Sequence, residues 1–334
     1  MTPSTRHFLV GSAVVVVAGL CTGLVAYYGG VLPGRDSART ELSYIPSDAS
    51  AVAFADVRGI MDSGFRQRLR EVMPTGAEKD RLLEETGIDI ERDIDTVMAG
   101  LTGADASGAL VLMKGRFDQS RIEGLAVGHG ARQEQYGGRA MLVGFSGAPM
   151  PGPAGAGDVP VPSIAFLDSG LLALGDVAAV RRAIDVAASG QDVTSNADMM
   201  RFISSMQGSG NAWMVGHAGP MTSQVNVPDQ VRRQVEGIEW LSISVDVAND
   251  VHGSIKAEAR DDESGQQLRT VLAGALTAAR LFGEQDARLA GALDSIQTTG
   301  AGRNVELSFQ VSSGLLDVFK PAPSPPDESP NPAP

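Results

Sequence analysis

The chain has 334 residues, 43% of them hydrophobic and 20% charged, which is the composition of a folded protein rather than a disordered one. Its formal net charge is −13, and no segment concentrates lysine and arginine. Nucleic-acid binding is not expected, because it requires a basic surface that neutralises phosphates. The single cysteine, Cys21, lies in the first apolar stretch, so the folded part has no disulfide and no thiol nucleophile.

The first predicted element is a membrane-spanning helix at residues 8–32, which contain no charged side chain. A helix crosses the hydrocarbon core with about 20 apolar residues. A cleaved signal peptide is one alternative, but its apolar core of about 7–15 residues is shorter and ends in a small-x-small site. This stretch instead ends in Tyr27 and Tyr28, which suit a membrane interface. A lipoprotein processed at Cys21 is the other alternative, and Leu20 stands where a small residue would be needed. We predict a retained anchor.

The orientation of the anchor follows from its flanks. Arg6 precedes the span, and Arg35 and Arg39 follow it, so the positive-inside count is nearly balanced. The tail before the span, residues 1–7, is as short as in ordinary signal-anchors that keep the N-terminus inside. We therefore predict a single-pass protein of the bacterial inner (cytoplasmic) membrane with its main part extracytoplasmic.

Strands and helices alternate through the first two thirds of the remaining chain. Apolar runs predict a buried strand at 50–57 and strand pairs at 96–101 with 109–114 and at 163–167 with 171–174. A helix is predicted over 59–72 and a further strand at 140–145. Two more helices begin at the N-cap residues Asp118 and Asp176, and the second of them stops at Gly190.

The last third shows strict alternation of apolar and polar residues. It predicts strands at 241–247 and 255–260 joined by a turn at Asn249-Asp250, a long helix over 268–282, and a strand at 305–311. Period-two alternation indicates that one face of this sheet is packed and the other is exposed or lightly covered.

The two halves of the chain also share three short patterns in the same order, which indicate a duplicated strand-helix-strand-strand-helix-strand unit. The patterns are Gly59, Met61, Ser63 with Gly219, Met221, Ser223; Arg116, Asp118, Ser120 with Arg260, Asp262, Ser264; and Gly138, Arg139 with Gly302, Arg303. This order is that of the ferredoxin-like fold. We therefore predict an α+β protein: a transmembrane helix and two tandem ferredoxin-like (βαββαβ) antiparallel α/β sandwiches, either separate or sharing one sheet.

Two stretches rich in proline punctuate this organisation, and seven of the fourteen residues of the second are proline. The predicted division is a short tail (1–7), the anchor (8–32), a linker (33–44), a first repeat (45–145), a Gly/Pro-rich loop (146–162), an added hairpin and helix (163–190), a second repeat (191–320) and a Pro-rich disordered tail (321–334).

Two segments carry a resemblance to a known family. They are Ile45-Pro46-Ser47-Asp48-Ala49-Ser50, which leads into the first strand, and the Gly87-Ile88-Asp89 to Asp93-Ile94 stretch before the first strand pair. Together they resemble an uncharacterised family of N-terminally anchored bacterial proteins with a domain of unknown function. The resemblance implies an exported, membrane-tethered, repeated α+β domain and no particular activity.

Candidate chemical groups have structural explanations at the level of sequence. His129, His217 and His252 share no metal-ligand spacing. The alternating acids Asp89, Glu91, Asp93 and Asp95 lack the glycine and the final glutamate of a calcium loop, and they suit a helix start. The remaining candidates are the acidic run Asp261-Asp262-Glu263, which suits helix capping, the incomplete nucleophile elbow Gly144 to Ala148, and Trp213 and Trp240, which suit core packing or a single exposed ring.

We therefore assign no catalytic residue, cofactor or metal site from the sequence, and we predict a non-catalytic binding or interaction protein of the bacterial envelope with a protein partner. Two alternatives remain open. A concave pocket with converging carboxylates would favour an anchored, hydrolase-like enzyme, and an apolar cavity between sheet and helices would favour a small-ligand or lipid-binding protein. A filled core with a flat exposed strand face would favour the interaction protein.

Overall fold

The computed structural model describes residues 37–72, 88–103, 108–144, 163–206, 208–219, 237–283 and 287–314. The predicted anchor at 8–32, the Gly/Pro-rich loop at 146–162 and the tail at 321–334 lie outside these residues. Within the described ranges, no helix has the length and the apolar composition needed to cross a membrane.

The described strands form one sheet of twelve antiparallel strands. The strands are β1 (Ala51–Ala55), β2 (Ile94–Thr102), β3 (Gly108–Gly115), β4 (Arg132–Tyr136), β5 (Arg139–Val143), β6 (Ser163–Asp168), β7 (Leu171–Gly175), β8 (Ala212–His217), β9 (Ile238–Val247), β10 (Val251–Ala259), β11 (Gln297–Thr299) and β12 (Asn304–Val311). Their order across the sheet is β11-β12-β10-β9-β8-β1-β2-β3-β7-β6-β5-β4.

Helices lie between these strands along the chain. The longer ones are α1 (Ser37–Leu42), α2 (Val57–Asp62), α3 (Gly64–Val72), α5 (Gln119–Gly128), α6 (Val177–Ser189), α7 (Ala197–Met206), α8 (Asp262–Gly283) and α9 (Ala287–Ser295), and α4 (Ile90–Asp93) is a single turn. The predicted helix over 59–72 is thus two helices separated at Ser63. Its backbone N–H bonds to the carbonyl of Ile60 and closes the first helix.

The prediction of two ferredoxin-like sandwiches is wrong. In a ferredoxin-like unit, the two strands that flank a helix run in the same direction with another strand between them. Here β1 and β2 flank helices α2 to α4, yet they are adjacent and antiparallel, with Ala53 opposite Ala99. The helices therefore return the chain to the neighbouring position, and the described strands build one wide sheet.

The strand order nevertheless repeats on either side of the centre of the sheet. β1-β2-β3 extends in one direction and β8-β9-β10 in the other, and each side ends in a hairpin, β4–β5 or β11–β12. The shared Gly-Arg pattern falls at these hairpins, where Gly138 (φ 76°) and Gly302 (φ 55°) take up the left-handed conformation. The hairpin β6–β7 is inserted between β3 and β5 on one side of the sheet.

Helices cover both faces of the sheet. On one face, α6, α7 and residues 42–49 pack on the centre of the sheet and form the largest core, which includes Val52, Phe54 and Trp213. On the other face, Ile60 of α2 and Phe65 of α3 pack against β8 and β9, and α5 covers β5 and β7. We call these the α6 face and the α2 face.

The Ile45–Ser50 segment, which carries the family resemblance, ties the start of β1 to the chain after α6. Ile45 is fully buried and packs where a side chain on Gly100 would stand, since a Cβ there would lie 2.9 Å from Ile45 Cδ1. Its carbonyl accepts from the backbone N–H of Val193 at 2.8 Å, and the carbonyl of Ser47 accepts from Asn196 Nδ2 at 2.8 Å. This segment therefore has a structural role, because it holds the chain before β1 against the chain after α6.

Both edges of the sheet have features that limit further strand pairing. At one edge, β4 has the sequence RQEQY, in which Arg132 and Glu134 are charged. The strand therefore lacks an apolar face of its own. At the other edge, β11 has three residues and covers only part of β12. Beyond β11, Ser295 Oγ accepts from Gln310 N at 3.0 Å and donates to Gln310 O at 2.8 Å, which occupies the next backbone groups of β12.

We expect Gly253→Ala to destabilise the protein. Gly253 lies opposite Phe309 on β12, and a Cβ at Gly253 would stand 2.1 Å from Phe309 Cζ. The added methyl would displace the buried ring, at a cost of about 1–3 kcal/mol. The matched control is Gly124→Ala in α5, where a Cβ meets nothing within 4 Å and stability should rise by up to about 1 kcal/mol. Denaturant unfolding of both variants checks this, and equal stabilities would contradict the described packing.

Candidate interaction surface

A polar strand face lies at the β10–β12 end of the sheet. β10 and β12 pair in register from Val251 opposite Val311 to Glu258 opposite Asn304, so their alternate residues separate onto two faces. On the α2 face, Ala257, Val305 and Phe309 are buried. The opposite face, which we call the polar face, consists of His252, Ser254, Lys256, Glu258, Asn304, Glu306, Ser308 and Gln310; on the neighbouring strand β9, Ser242 and Ser244 are buried.

Charges of both signs meet at the centre of the polar face. Lys256 Nζ lies 3.7 Å from Glu306 Oε1, and Ser254 Oγ donates to the same oxygen at 3.0 Å. The side chains of Lys256 and Glu306 are 43% and 42% exposed. An exposed ion pair adds at most about 1 kcal/mol to stability, so these groups are accessible for other contacts.

A more buried ionic network borders the polar face. Glu258 is held between two arginines, with Arg201 Nη1 3.0 Å from Oε2 and Arg303 Nη2 3.0 Å from Oε1. Arg303 also lies 3.0 Å from Glu239 Oε2, and its Nε donates to the carbonyl of Ala259 at 2.7 Å. The network joins α7 to β10 and to the residue before β12. We call these four residues, Arg201, Glu239, Glu258 and Arg303, the rim of the polar face.

An aromatic stack supports this rim from below. The ring of Trp240 is buried, with the ring centroid of Phe202 at 4.7 Å and that of His217 at 4.0 Å. Trp213 is buried as well and stacks on Phe54 at 5.6 Å. Of the two predicted alternatives, core packing or an exposed ring, both tryptophans therefore serve core packing.

The three histidines lie in separate places. His129 caps the C-terminus of α5, His217 packs on Trp240, and His252 lies exposed on the polar face where the alternation places it. Among the residues that the structure describes, no three His, Cys, Asp or Glu side chains are grouped so as to hold a metal ion.

The alternating acids near residue 90 act as helix and ion-pair residues. Asp89 is the N-cap of α4 and accepts from Glu91 N at 3.0 Å, while Asp93 Oδ2 accepts from Asp89 N at 2.8 Å. The interpretation as a helix start is confirmed for Asp89, Glu91 and Asp93, whereas Asp95 lies in β2. Their arginine partners are Arg66 and Arg70 for Glu91 and Arg58 for Asp95.

The other predicted caps are also present. Asp118 accepts from Arg121 N at 3.1 Å, Asp176 accepts from Ala179 N at 2.7 Å, and α6 ends at Gly190 in the left-handed conformation. Asp261 accepts from Ser264 N at 2.7 Å, and this bond lowers the pKa of its carboxyl. Of the incomplete nucleophile elbow, only Gly144 is among the described residues.

Two buried carboxyls with one oxygen that has no hydrogen-bond partner were not singled out from the sequence. Asp56, which follows β1, is fully buried; its Oδ1 accepts from Gly59 N at 2.9 Å, and its Oδ2 has no hydrogen-bond partner. Its pKa is raised to about 7, mainly by burial; the hydrogen bond from Gly59 N lowers it, and the charges of Asp62 and Asp246 contribute to the rise. Because no atom of Asp56 reaches solvent, this carboxyl does not meet a substrate.

The second buried carboxyl belongs to Glu41 in α1. It is 1% exposed, and its Oε1 accepts from the Thr96 hydroxyl at 3.0 Å while its Oε2 has no partner. Burial raises the pKa of Glu41, against an opposing effect of the hydrogen bonds and of Lys114. Neither carboxyl belongs to a recognisable sequence motif.

Comparisons with known proteins identify no relative of this chain. No protein-family model, no curated protein and no solved structure matches the chain. The resemblance to the family of anchored bacterial proteins therefore stays a prediction, and the function must be argued from the geometry of the chain itself.

We expect the rim and the centre of the polar face to differ in their contribution to stability. Glu258→Ala removes two charged hydrogen bonds from a side chain that is 17% exposed and leaves Arg201 and Arg303 without this partner. The expected loss is about 1–3 kcal/mol. Glu306→Ala on the neighbouring strand should cost less than about 1 kcal/mol, because its ion pair is exposed. Urea unfolding of both variants measures the difference in the free energy of unfolding. An equal loss would contradict the larger contribution expected from the less exposed Glu258.

Proposed function

We propose that this protein is a non-catalytic, membrane-anchored interaction protein that presents the polar face to a protein partner outside the cytoplasm. The observation that carries the proposal is the polar face itself. One end of a wide sheet is packed on its apolar side and leaves a row of serines, amides and paired charges on the other side.

The shape and the chemistry of the polar face favour a protein over a small ligand. Small-molecule sites are concave and mostly apolar, whereas this face is made of strands in register with short polar side chains. Its charges alternate in sign, with Lys256 beside Glu306 and Glu258 beside Arg303. We therefore propose a partner surface that is polar and of mixed charge, since complementary charges set register and suppress wrong partners.

The size of the polar face indicates the kind of contact. Two strands of about eight residues cover roughly 10 Å by 26 Å, or about 260 Å². A stable interface buries about 800 Å² on each partner. The face alone is therefore suited to a transient contact.

The proposed location is supported by the sequence before α1. Residues 8–32 are uncharged and long enough to cross a bilayer. α1 begins at Ser37, and Leu42 and Ile45, which follow within eight residues, are fully buried in the largest core. A short connection between an anchor and a docked segment would hold the sheet close to the membrane surface.

A photo-crosslinking residue in place of Ser308 tests the proposed partner. The full-length chain is expressed in cells, and we expect a discrete, stoichiometric protein adduct from this position. The matched control is the same residue in place of Val127, which is 53% exposed on α5 and distant from the polar face. Adducts that are absent at Ser308, or equal at both positions, would overturn the proposal.

A charge exchange shows whether the adduct depends on the polar face. Lys256→Glu combined with Glu306→Lys preserves an ion pair across the two strands and reverses its direction. The Ser308 adduct should fall at least tenfold in this variant while the thermal unfolding of the protein changes little. An adduct that persists unchanged would indicate a contact that does not use these charges.

The proposed orientation has its own test. An alkaline phosphatase fused after Pro334 should be active in intact cells, because that enzyme requires export, whereas a fluorescent protein that folds only in the cytoplasm should stay dark at the same position. The opposite pattern would place the sheet in the cytoplasm and refute the proposed location, whatever the crosslinking result.

A further inference from the structure

The two groups of strands, which join where β1 pairs with β8, are also connected at a buried corner around Asp56. Its backbone N–H donates to the carbonyl of Asn211 at 2.7 Å. The Asn211 side chain in turn donates to the carbonyl of Val247 at 2.8 Å and accepts from the Val247 N–H at 2.9 Å. The N-cap residue of α2 is thus connected through Asn211 to the end of β9 in the other half of the sheet.

The helices that follow Asp56 lean on the same region. Phe65 N at the start of α3 donates to the carbonyl of Ala248, in the turn between β9 and β10, at 2.9 Å. Ile60 and Phe65 pack there on Val245, Val247 and Val251. If α2 and α3 separated from the sheet, this apolar surface would become exposed.

The Asp56 carboxyl is placed where an ionised group is poorly accommodated. It is fully buried, one oxygen has no partner, and the other receives a single backbone N–H. A buried carboxylate normally requires several donors or a cation. The protonated acid therefore suits this corner better than the carboxylate does.

The charged groups around the corner do not compensate for ionisation. Asp62 on α2 and Asp246 on β9 are both acidic and oppose it. β1, with the sequence AVAFA, carries no ionisable side chain, and Asp250 in the turn is held by Ser313 N at 2.9 Å. On α3, Arg66 is paired with Glu91, and Arg58 on α2 is paired with Asp95.

We propose that the Asp56 corner is a proton-controlled joint that holds α2 and α3 most firmly against the sheet when Asp56 is protonated and lets them open more readily when it ionises. Opening exposes the apolar surface of β8 and β9 without unfolding the rest of the sheet. The joint is separate from the polar face and does not rest on the proposed function.

The sign and the range of the effect follow from linkage. The pKa of Asp56 is about 7 in the closed corner and 3.8 when the carboxyl is exposed to water. Opening therefore releases a proton between these values, and the opening equilibrium constant rises about tenfold for each pH unit up to about pH 7. Above that value, Asp56 is ionised in both states and the constant levels off.

Hydrogen exchange of the full chain between pH 5 and pH 9 tests the joint. After correction for intrinsic exchange, we expect the protection of amides in residues 57–72 to fall about tenfold per pH unit from pH 5 to pH 7 and then to level off. Amides of β2 serve as the internal reference and should remain more strongly protected at every pH, because they exchange only through a larger opening, which exposes Asp56 as well. Protection of residues 57–72 that stays constant across the range, or that equals the protection of β2 at every pH, would overturn the proposal.

Three variants sharpen the result. Asp56→Asn keeps a capping side chain that does not titrate, so its protection should be independent of pH. Asp62→Asn removes a neighbouring negative charge and should bring the levelling-off to a lower pH. Asp118→Asn is the matched control, because Asp118 is an exposed N-cap of α5, and it should behave like the parent. If Asp56→Asn does not fold, an unchanged profile in Asp62→Asn overturns the proposal on its own.

Discussion

The pairing of β1 with β8 is the constraint on which the rest of the structure depends. Ala51 to Ala55 pair with Gly216 to Ala212, and the pair joins two groups of strands that would otherwise be separate sheets. Phe54 stacks on Trp213 across this pair, and α6 and α7 close over it on the same face. The position of the polar face, far from the inserted hairpin, follows from this central connection.

Local elements of the fold could be predicted because they depend on neighbouring residues. Alternation places β10 and β12, and the side-chain oxygens of Asp118 and Asp176 identify helix starts. The order of the strands could not be predicted, because nothing near Ala53 in the sequence shows that it will face Ala99 on one side and Met214 on the other. β4 was missed because its sequence, RQEQY, lacks an apolar period.

The polar face could be predicted from neighbouring residues, whereas the Asp56 corner could not, because it depends on distant ones. The polar face follows from period-two alternation, which separates Lys256 and Glu306 from the buried Ala257 and Val305. The burial of Asp56 depends on Asn211, more than 150 residues later, so its sequence context signals only an N-cap. An aspartate directly after a continuous apolar strand, with a glycine three residues further on, was the one local signal available.

The two blunt edges of the sheet have a consequence for proteins tethered to a membrane. Under the proposed anchoring, copies of this chain share a plane and collide far more often than they would in free solution, with their sheets held at similar heights. An open β12 would allow one copy to add its strand to the next and build a ribbon along the surface. The Ser295 hydroxyl on Gln310, the three-residue β11 and the charged β4 interrupt that growth, so crowding favours dispersed molecules over polymer.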